Sequence, residues 1–354
     1  MPSEDLAGAS GQETRSSDAE PRATVASAGE HALIQRIRGR LSPAPDWLIV
    51  DAGDDAAVYE PPRNALEVIT SDAIVEGVHF DRRFTPAASI GYRALAVNLS
   101  DLAAMGAEPR LATLSMALPR TLPLSEFDDI VTGLLALAER SRTRLVGGNI
   151  TSTDGPLVID VTAVGIVGRR RVLTRAGARP GNYVFVSGTL GDARAGLAQL
   201  TSTPAADERR SSELVARYLH PEPRLRLGQQ LGRRQAATAA IDLSDGLADG
   251  LARLAEASGV GIAIQAADVP VHAEAHAHFL AANRDPVHEA VAGGDDYELL
   301  FTVHPRRLGR LKAVERLISG LRLTRIGVVT RAPGLDIIHD GRREAVAQGY
   351  EHFK

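Results

Sequence analysis

The chain has 354 residues, of which 44% are hydrophobic and 24% charged, with a formal charge of −4 and no cysteine. This balance suits two ordinary globular domains or one large one. It excludes a disordered or fibrous chain, a disulfide scaffold, zinc–thiolate and iron–sulfur sites and every cysteine nucleophile. No run of 18 apolar residues is present, and neither the charge nor the 4% aromatic content supports a nucleic-acid-binding surface.

Residues 1–28 are rich in Ser, Ala, Glu and Gly and read as a flexible tail. The tail has no apolar run of the kind a secretory signal needs. It carries Glu4, Asp5, Glu13, Asp18 and Glu20, unlike a transit peptide, so a cytoplasmic location is expected. Order is expected to begin at a capping box, Ser27 with Glu30, ahead of Leu33, Ile34, Ile37 and Leu41 at helical spacing. Short strands are expected at 47–50, 56–59 and 66–70. A helix is expected over Ala87–Ala104, with Thr85 as its cap and Pro86 in its first turn. A strand at 111–118, an amphipathic helix at 125–142 and a β-branched strand at 157–167 complete the first half.

The polar, basic stretch Arg169–Arg179 ends at Pro180-Gly181. It places a domain boundary between 29–168 and 169–354. Beyond it, strands are expected at 183–187, 239–242, 261–265, 297–303, 323–329 and 335–339. Helices are expected at 192–200, 211–219, 224–234 and 247–258. Strands mixed with helices in both halves give the α/β (α+β) class.

Chemistry is suggested by where the aspartates sit. Gly53-Asp54-Asp55 precedes a strand, and Thr70-Ser71-Asp72 follows one. Asp242-Leu243-Ser244-Asp245-Gly246 joins a strand to a helix, and Gly293-Gly294-Asp295-Asp296 precedes another strand. Each alone also reads as an ordinary turn or helix cap. Asp101 is different, because Leu95, Ala96, Val97, Leu99, Leu102 and Ala103 imply a nearly buried helix around it. A carboxylate there needs either a cation or several hydrogen-bond donors. Hard oxygen ligands at strand ends suit magnesium shared with phosphate oxygens.

The only lysines are Lys312 and Lys354, and no Gly-x-x-x-x-Gly-Lys-Ser/Thr run occurs, which excludes a P-loop. Glycine-rich pieces at Gly147-Gly148-Asn149, Ser187–Asp192 and Gly293-Gly294, each taken to follow a strand, could offer backbone N–H groups to phosphate. Arg175 is the best-placed cation. His272, His276 and His278 read as a solvated helix surface.

The set Gly53–Val58, Ser71–Phe80, Ala94–Ala107, Ile241–Leu247 and Gly293–Phe301 resembles the thiamine-monophosphate kinase family, with its motifs in the same order over about Gly29 to Lys354. The resemblance implies the two-domain fold of aminoimidazole ribonucleotide synthetase. In that fold an N-terminal mixed-sheet domain pairs in a homodimer, and a C-terminal α+β domain follows. It also implies transfer of the ATP γ-phosphoryl group to thiamine monophosphate with several Mg²⁺ ions.

By motif, the resemblance makes Asp55, Thr70, Ser71, Asp72, Asp101, Asn149, Asp242 and Asp245 metal ligands. Gly148, Asn149, Arg175 and Ser244 become ATP contacts, and His79, Asp295 and Tyr350 contacts to thiamine monophosphate. Asp72, Asp101, Asp242, Asp245 and Arg175 are then the residues that carry the transfer. Three positions depart from the pattern. Asn149 stands where many members have Asp, and Asp295 where Glu is frequent. Ala347 stands where some members have an aromatic, leaving Tyr350 to serve. With no cysteine, the selenophosphate synthetase and carbamoyl-transfer relatives are disfavoured. An aminoimidazole ribonucleotide synthetase-like enzyme and a non-catalytic nucleotide-binding relative stay open as alternatives.

Overall fold

The computed structural model describes residues 23–202 and 212–345. Tyr350 and Ala347 lie outside the described residues.

The chain opens with α1 (Val25–Ala28) and α2 (Glu30–Arg38). The capping box sits one helix earlier than expected: Thr24 caps α1 reciprocally with Ser27, and Gly29 precedes α2 without a side-chain cap. Val25 is buried and its N–H donates to the Leu122 carbonyl at 3.0 Å. Residues 23–28, expected to end a flexible tail, therefore belong to the fold. One apolar anchor among polar neighbours leaves no periodicity to read.

A hairpin, β1 (Leu48–Val50) with β2 (Val58–Tyr59), precedes the first main layer. That layer contains β3 (Ala65–Val75), α3 (Ala87–Ala104), β4 (Glu108–Pro119), α4 (Leu124–Ser141), β5 (Arg144–Thr153) and β6 (Val158–Gly168). Its sheet runs β3-β6-β4-β5, with β4 and β5 parallel and the other pairs antiparallel. Along β6, Ile159, Val161, Ala163 and Val167 are buried in one core with side chains of α3 and α4. Asp160, Thr162, Val164 and Ile166 alternate with them on the other face and are only half-buried. The helix expected over Ala87–Ala104 has those bounds, but Pro86 takes the cap position and no side chain caps it. β5 is unforeseen, because Gly147-Gly148-Asn149 interrupts its alternation. That glycine-rich piece lies inside a strand rather than after one.

The second layer contains β7 (Tyr183–Ser187), α5 (Asp192–Ser202), α6 (Glu213–Leu219), α7 (Leu225–Arg233), β8 (Ala239–Asp242), α8 (Leu247–Ser258) and β9 (Gly261–Gln265). It continues with α9 (Ala273–Ala281), α10 (Pro286–Ala292), β10 (Leu299–Val303), α11 (Leu308–Glu315), β11 (Leu323–Thr330), β12 (Leu335–His339) and β13 (Arg342–Ala345). The seven strands order as β13-β12-β9-β11-β7-β10-β8, with only the β9–β12 pair parallel. Ile241, Ile262 and Ile264 pack with Leu247, Leu251 and Leu254 of α8. Phe185, Leu299 and Phe301 pack with Leu227 and Leu231 of α7 and with Leu311 of α11.

α3 joins the layers. Leu95, Leu99 and Leu102 are at most 1% exposed in the first core, while Ala103 and Ala104 belong to a core of the second. Each fully buried leucine contributes on the order of 2 kcal/mol. That anchoring is what lets the helix hold polar groups at the seam.

Candidate active site

The C-terminal half of α3, the end of β8 and the middle of β3 meet at a cleft of about 1110 Å³. Asp72, Asp101, Asp242, Ser244, Asp245, Asp295 and His79 line it. Asp101 is half-buried and accepts a hydrogen bond from the Thr70 hydroxyl. Ser100, wholly buried, donates its hydroxyl to Asp242 Oδ2 at 2.8 Å. The Asp72 N–H donates to Asn98 Oδ1 at 3.0 Å, so β3, an edge strand, is tied to α3 at its carboxylate.

Among the described residues, no ion pair to Arg or Lys reaches Asp72, Asp101 or Asp242. Asp245 lies 3.6 Å from Arg253. Burial, reinforced by the Asp101 charge, pushes Asp242 up to about 7 against the opposing Ser100 hydrogen bond. Burial, with Asp101, Asp160 and Asp245 nearby, pushes Asp72 up to about 6. Like charges are thus crowded where no described arginine or lysine pairs with Asp72, Asp101 or Asp242.

The donor set fits magnesium. The seam of Asp72, Asp101, Asp242 and Asp245 offers hard carboxylate oxygens with an excess of negative charge, beside the Ser244 hydroxyl, and the cleft holds no cysteine. Among the described residues no three such groups already converge on one point. Magnesium does not require that, because it fills much of its shell with water and phosphate oxygens.

Two loops build the floor of the cleft. The N–H of Asp295 donates to the Ser244 carbonyl at 2.7 Å and that of Tyr297 to the Leu243 carbonyl at 2.9 Å, which extends the β8–β10 pairing into the loops. A Cβ at Gly246 would lie 2.3 Å from the Gly293 carbonyl, and one at Gly294 would lie 2.6 Å from the Ser244 carbonyl. Gly293-Gly294 therefore packs backbone on backbone against this loop, with Gly294 also lining the cleft. Asp295 and Tyr297 hold φ of +68° and +49° on either side of Asp296, a strained backbone that the packing imposes. Asp296 is half-buried and accepts the N–H of Gly191 at 2.8 Å, so the Gly188–Asp192 turn also serves to lock these loops. Burial raises the Asp296 carboxyl well above its usual range.

The remaining expected residues lie elsewhere. Asp55, Gly148 and Asn149 line a second cleft of about 1100 Å³, between α2, the Asp54-Asp55 turn and the sheet. Asn149 pairs in register with Ser115, and Ser115 with Asp160. Ser71 meets Thr162 Oγ1 at 3.0 Å, on the face opposite its neighbours Thr70 and Asp72. Consecutive β3 residues thus face opposite sides of the sheet; Asp72, Ala73 and Ile74 line the first cleft, and no β3 residue lines the second. Arg175 is exposed and lines neither cleft; its carbonyl accepts the Ser258 hydroxyl at 3.0 Å.

Sequence reasoning missed Arg93. It is 1% exposed in α3, with Nη2 2.9 Å from Asp295 Oδ1, Nη1 on the Tyr218 carbonyl, and its guanidinium 4.6 Å over the Tyr218 ring. Like Asp101 it is a charge in an apolar stretch of helix, with Tyr92, Ala94 and Leu95 beside it, and that signal was there to be read. Glu298 was missed too; buried, it pairs with Arg224 and accepts the Ser187 hydroxyl behind the loops.

The family model described as AIR synthase related protein, N-terminal domain, matches residues 53–167, and its C-terminal counterpart matches residues 179–340. The thiamine-monophosphate kinase of Escherichia coli (strain K12) is 38% identical over 330 residues, covering 92% of this chain and 98% of the relative. The crystal structure of thiamine-monophosphate kinase from Stenotrophomonas maltophilia K279a matches with TM-score 0.76 and 39% identity, over 89% of this chain and 96% of that one. The structure described as AaThiL complexed with AMPPCP and TMP matches with TM-score 0.72 and 32% identity, over 92% and 97%. The layered sheets, the acidic seam between them and these likenesses agree, and the chain belongs to the thiamine-monophosphate kinase family of AIR synthase-related proteins.

Proposed function

We propose that this chain transfers the γ-phosphoryl group of ATP to thiamine monophosphate, giving thiamine diphosphate and ADP, in a Mg²⁺-dependent reaction. The observation that carries the reading is the seam of Asp72, Asp101 and Asp242, whose charges lack a cationic partner among the described residues. Asp55, Thr70, Ser71, Asp72, Asp101, Asn149, Asp242 and Asp245 would hold magnesium. When bound, the metal offsets the repulsion between two phosphate-bearing substrates.

The nucleophile is a phosphate oxygen, anionic near neutral pH, so no strong general base is required. The chain's task is to position: α8 presents its N-terminal N–H groups beside Ser244, and Asp295 is fixed by Arg93. Gly148, Asn149, Arg175 and Ser244 contact ATP in this reading, and His79, Asp295 and Tyr350 contact thiamine monophosphate. No residue stands out as a covalent carrier, so the oxygen attacks the γ-phosphorus as the bond to ADP breaks. Residues 29–168 form the nucleotide-binding and dimerisation unit, and residues 169–354 the C-terminal unit.

A homodimer through the open face of the first sheet fits the apolar groups there: Ile69 is 67% exposed, beside half-buried Val164 and Ile166. Among the described residues no helix is long and apolar enough to cross a membrane, and a cytoplasmic setting suits an enzyme that draws on ATP. The test of the site is Asp101→Ala. Turnover should vanish while the far-ultraviolet dichroism stays unchanged, and near-normal activity would remove Asp101 from the site.

A further inference from the structure

The acidic cleft has a second wall. Arg194 in α5 and Arg284, just before α10, both line it together with the aspartates. Both are tied to one carboxylate: Arg194 Nε lies 2.6 Å and Arg284 Nη1 3.2 Å from Glu289 Oε2. Glu289 is 6% exposed, and its anchor in α10 fixes the height at which both guanidiniums stand. The Arg194 stem also lies against the glycine pair, since a Cβ on Gly293 would be 3.0 Å from its Cδ. That glycine pair packs on the Ser244–Gly246 loop, so the arginine is held beside the acidic floor.

Two positive charges on one negative leave a net positive wall. Each guanidinium has five N–H donors, more than one carboxylate can take up, and the closest contacts to Glu289 run through Arg194 Nε and Arg284 Nη1. Among the described lining residues these are the only lysine or arginine side chains in a cleft that must admit phosphate. Arginine pairs with phosphate in a planar, two-point manner that carries specificity as well as affinity.

We propose that Arg194 and Arg284, set by Glu289, receive the phosphate monoester of the acceptor and distinguish it from the unphosphorylated alcohol. Glu289 is a positioning residue, and the two arginines determine specificity. The inference rests on the phosphotransfer reading above. It adds a cationic half to the acceptor subsite in the cleft that the carboxylates line.

The experiment compares the wild type with Arg194→Ala/Arg284→Ala and with Arg194→Lys/Arg284→Lys. It measures KM for thiamine monophosphate, KM for ATP, and the competitive inhibition constant of thiamine, which lacks the phosphate. The alanine pair should raise KM for thiamine monophosphate roughly 10- to 100-fold, the loss expected for charge-assisted hydrogen bonds. KM for ATP and the thiamine inhibition constant should stay within about two-fold of wild type, a change of only about 0.4 kcal/mol. The lysine pair, which keeps the charge and loses the fork, should fall in between. Glu289→Gln should raise KM for thiamine monophosphate without removing either arginine.

A KM for thiamine monophosphate unchanged in the alanine pair overturns the proposal. So does a parallel rise in the thiamine constant, which marks a general disturbance of the cleft, or a rise confined to ATP. If the wild type makes no thiamine diphosphate, the underlying reading fails instead. Binding of thiamine monophosphate to wild type and alanine pair by calorimetry then decides the arginines separately.

Discussion

Asp242→Asn in metal-free protein separates the demands of the site from those of the fold. In the wild type Asp242 titrates near 7 when folded and near 3.8 as an ordinary aspartate, so the folded state holds this proton more tightly. The stabilisation from that proton is full below pH 4 and is lost as the pH rises through 7. A three-unit shift corresponds to about 4 kcal/mol of destabilisation by pH 8. Asparagine keeps the shape and can still accept the Ser100 hydroxyl, but it carries no charge. Part of the gain returns as a weaker hydrogen bond, since bonds to charged groups are the stronger ones.

In EDTA at pH 8 the variant should therefore be more stable than the wild type by about 2–3 kcal/mol. The difference should shrink toward zero by pH 4.5, and turnover with Mg²⁺ should be abolished. Denaturant titrations followed by circular dichroism at both pH values provide the measurement. A variant that is less stable at pH 8, or a difference that does not move with pH, would refute the reasoning that this carboxylate is crowded and uncompensated.

Three further changes probe other parts of the account. Arg93→Met should destabilise the fold by about 3–5 kcal/mol in urea unfolding, because it strips Asp295 and the Tyr218 carbonyl of a buried partner, and Arg93→Lys should recover part of that loss. A methionine variant as stable as wild type would contradict the role assigned to the pair. Asn149→Asp restores a negative charge in the second cleft, and the Mg²⁺ concentration for half-maximal rate should fall several-fold; an unchanged requirement removes Asn149 from metal binding. Ile69→Arg places a charge on the open sheet face and should convert the proposed dimer to monomer in light scattering, whereas an unaltered mass would overturn pairing through that face.

Much of this architecture is legible because its signals are local. The helix Leu247–Ser258 and the strands Tyr183–Ser187 and Ala239–Asp242 have the bounds that periodicity gives them. Asp101 stands out because its apolar neighbours make a charge conspicuous. What escapes is non-local. The Gly293-Gly294 pair reads as a phosphate cradle, yet its lack of side chains serves contact with a loop some fifty residues earlier. β5 hides because glycines break its alternation, and α10 and α11 are too short to show a period. Asp55 and Asn149 sort into a different cleft from Asp72 and Asp242, a division that strand pairing decides and spacing does not. The Arg194–Glu289–Arg284 wall joins residues ninety positions apart and becomes visible only once α5 and α10 are packed.

The central claim is direct phosphoryl transfer to a phosphate acceptor. Incubation of the purified chain with thiamine monophosphate, Mg²⁺ and ATP labelled in its γ-phosphate, followed by chromatography, tests it most directly. The account predicts label in the terminal phosphate of thiamine diphosphate, one for each ADP formed, with none in the presence of EDTA and none when thiamine replaces the monophosphate. Label released as inorganic phosphate without thiamine diphosphate, or carried on the protein as a competent intermediate, would contradict it.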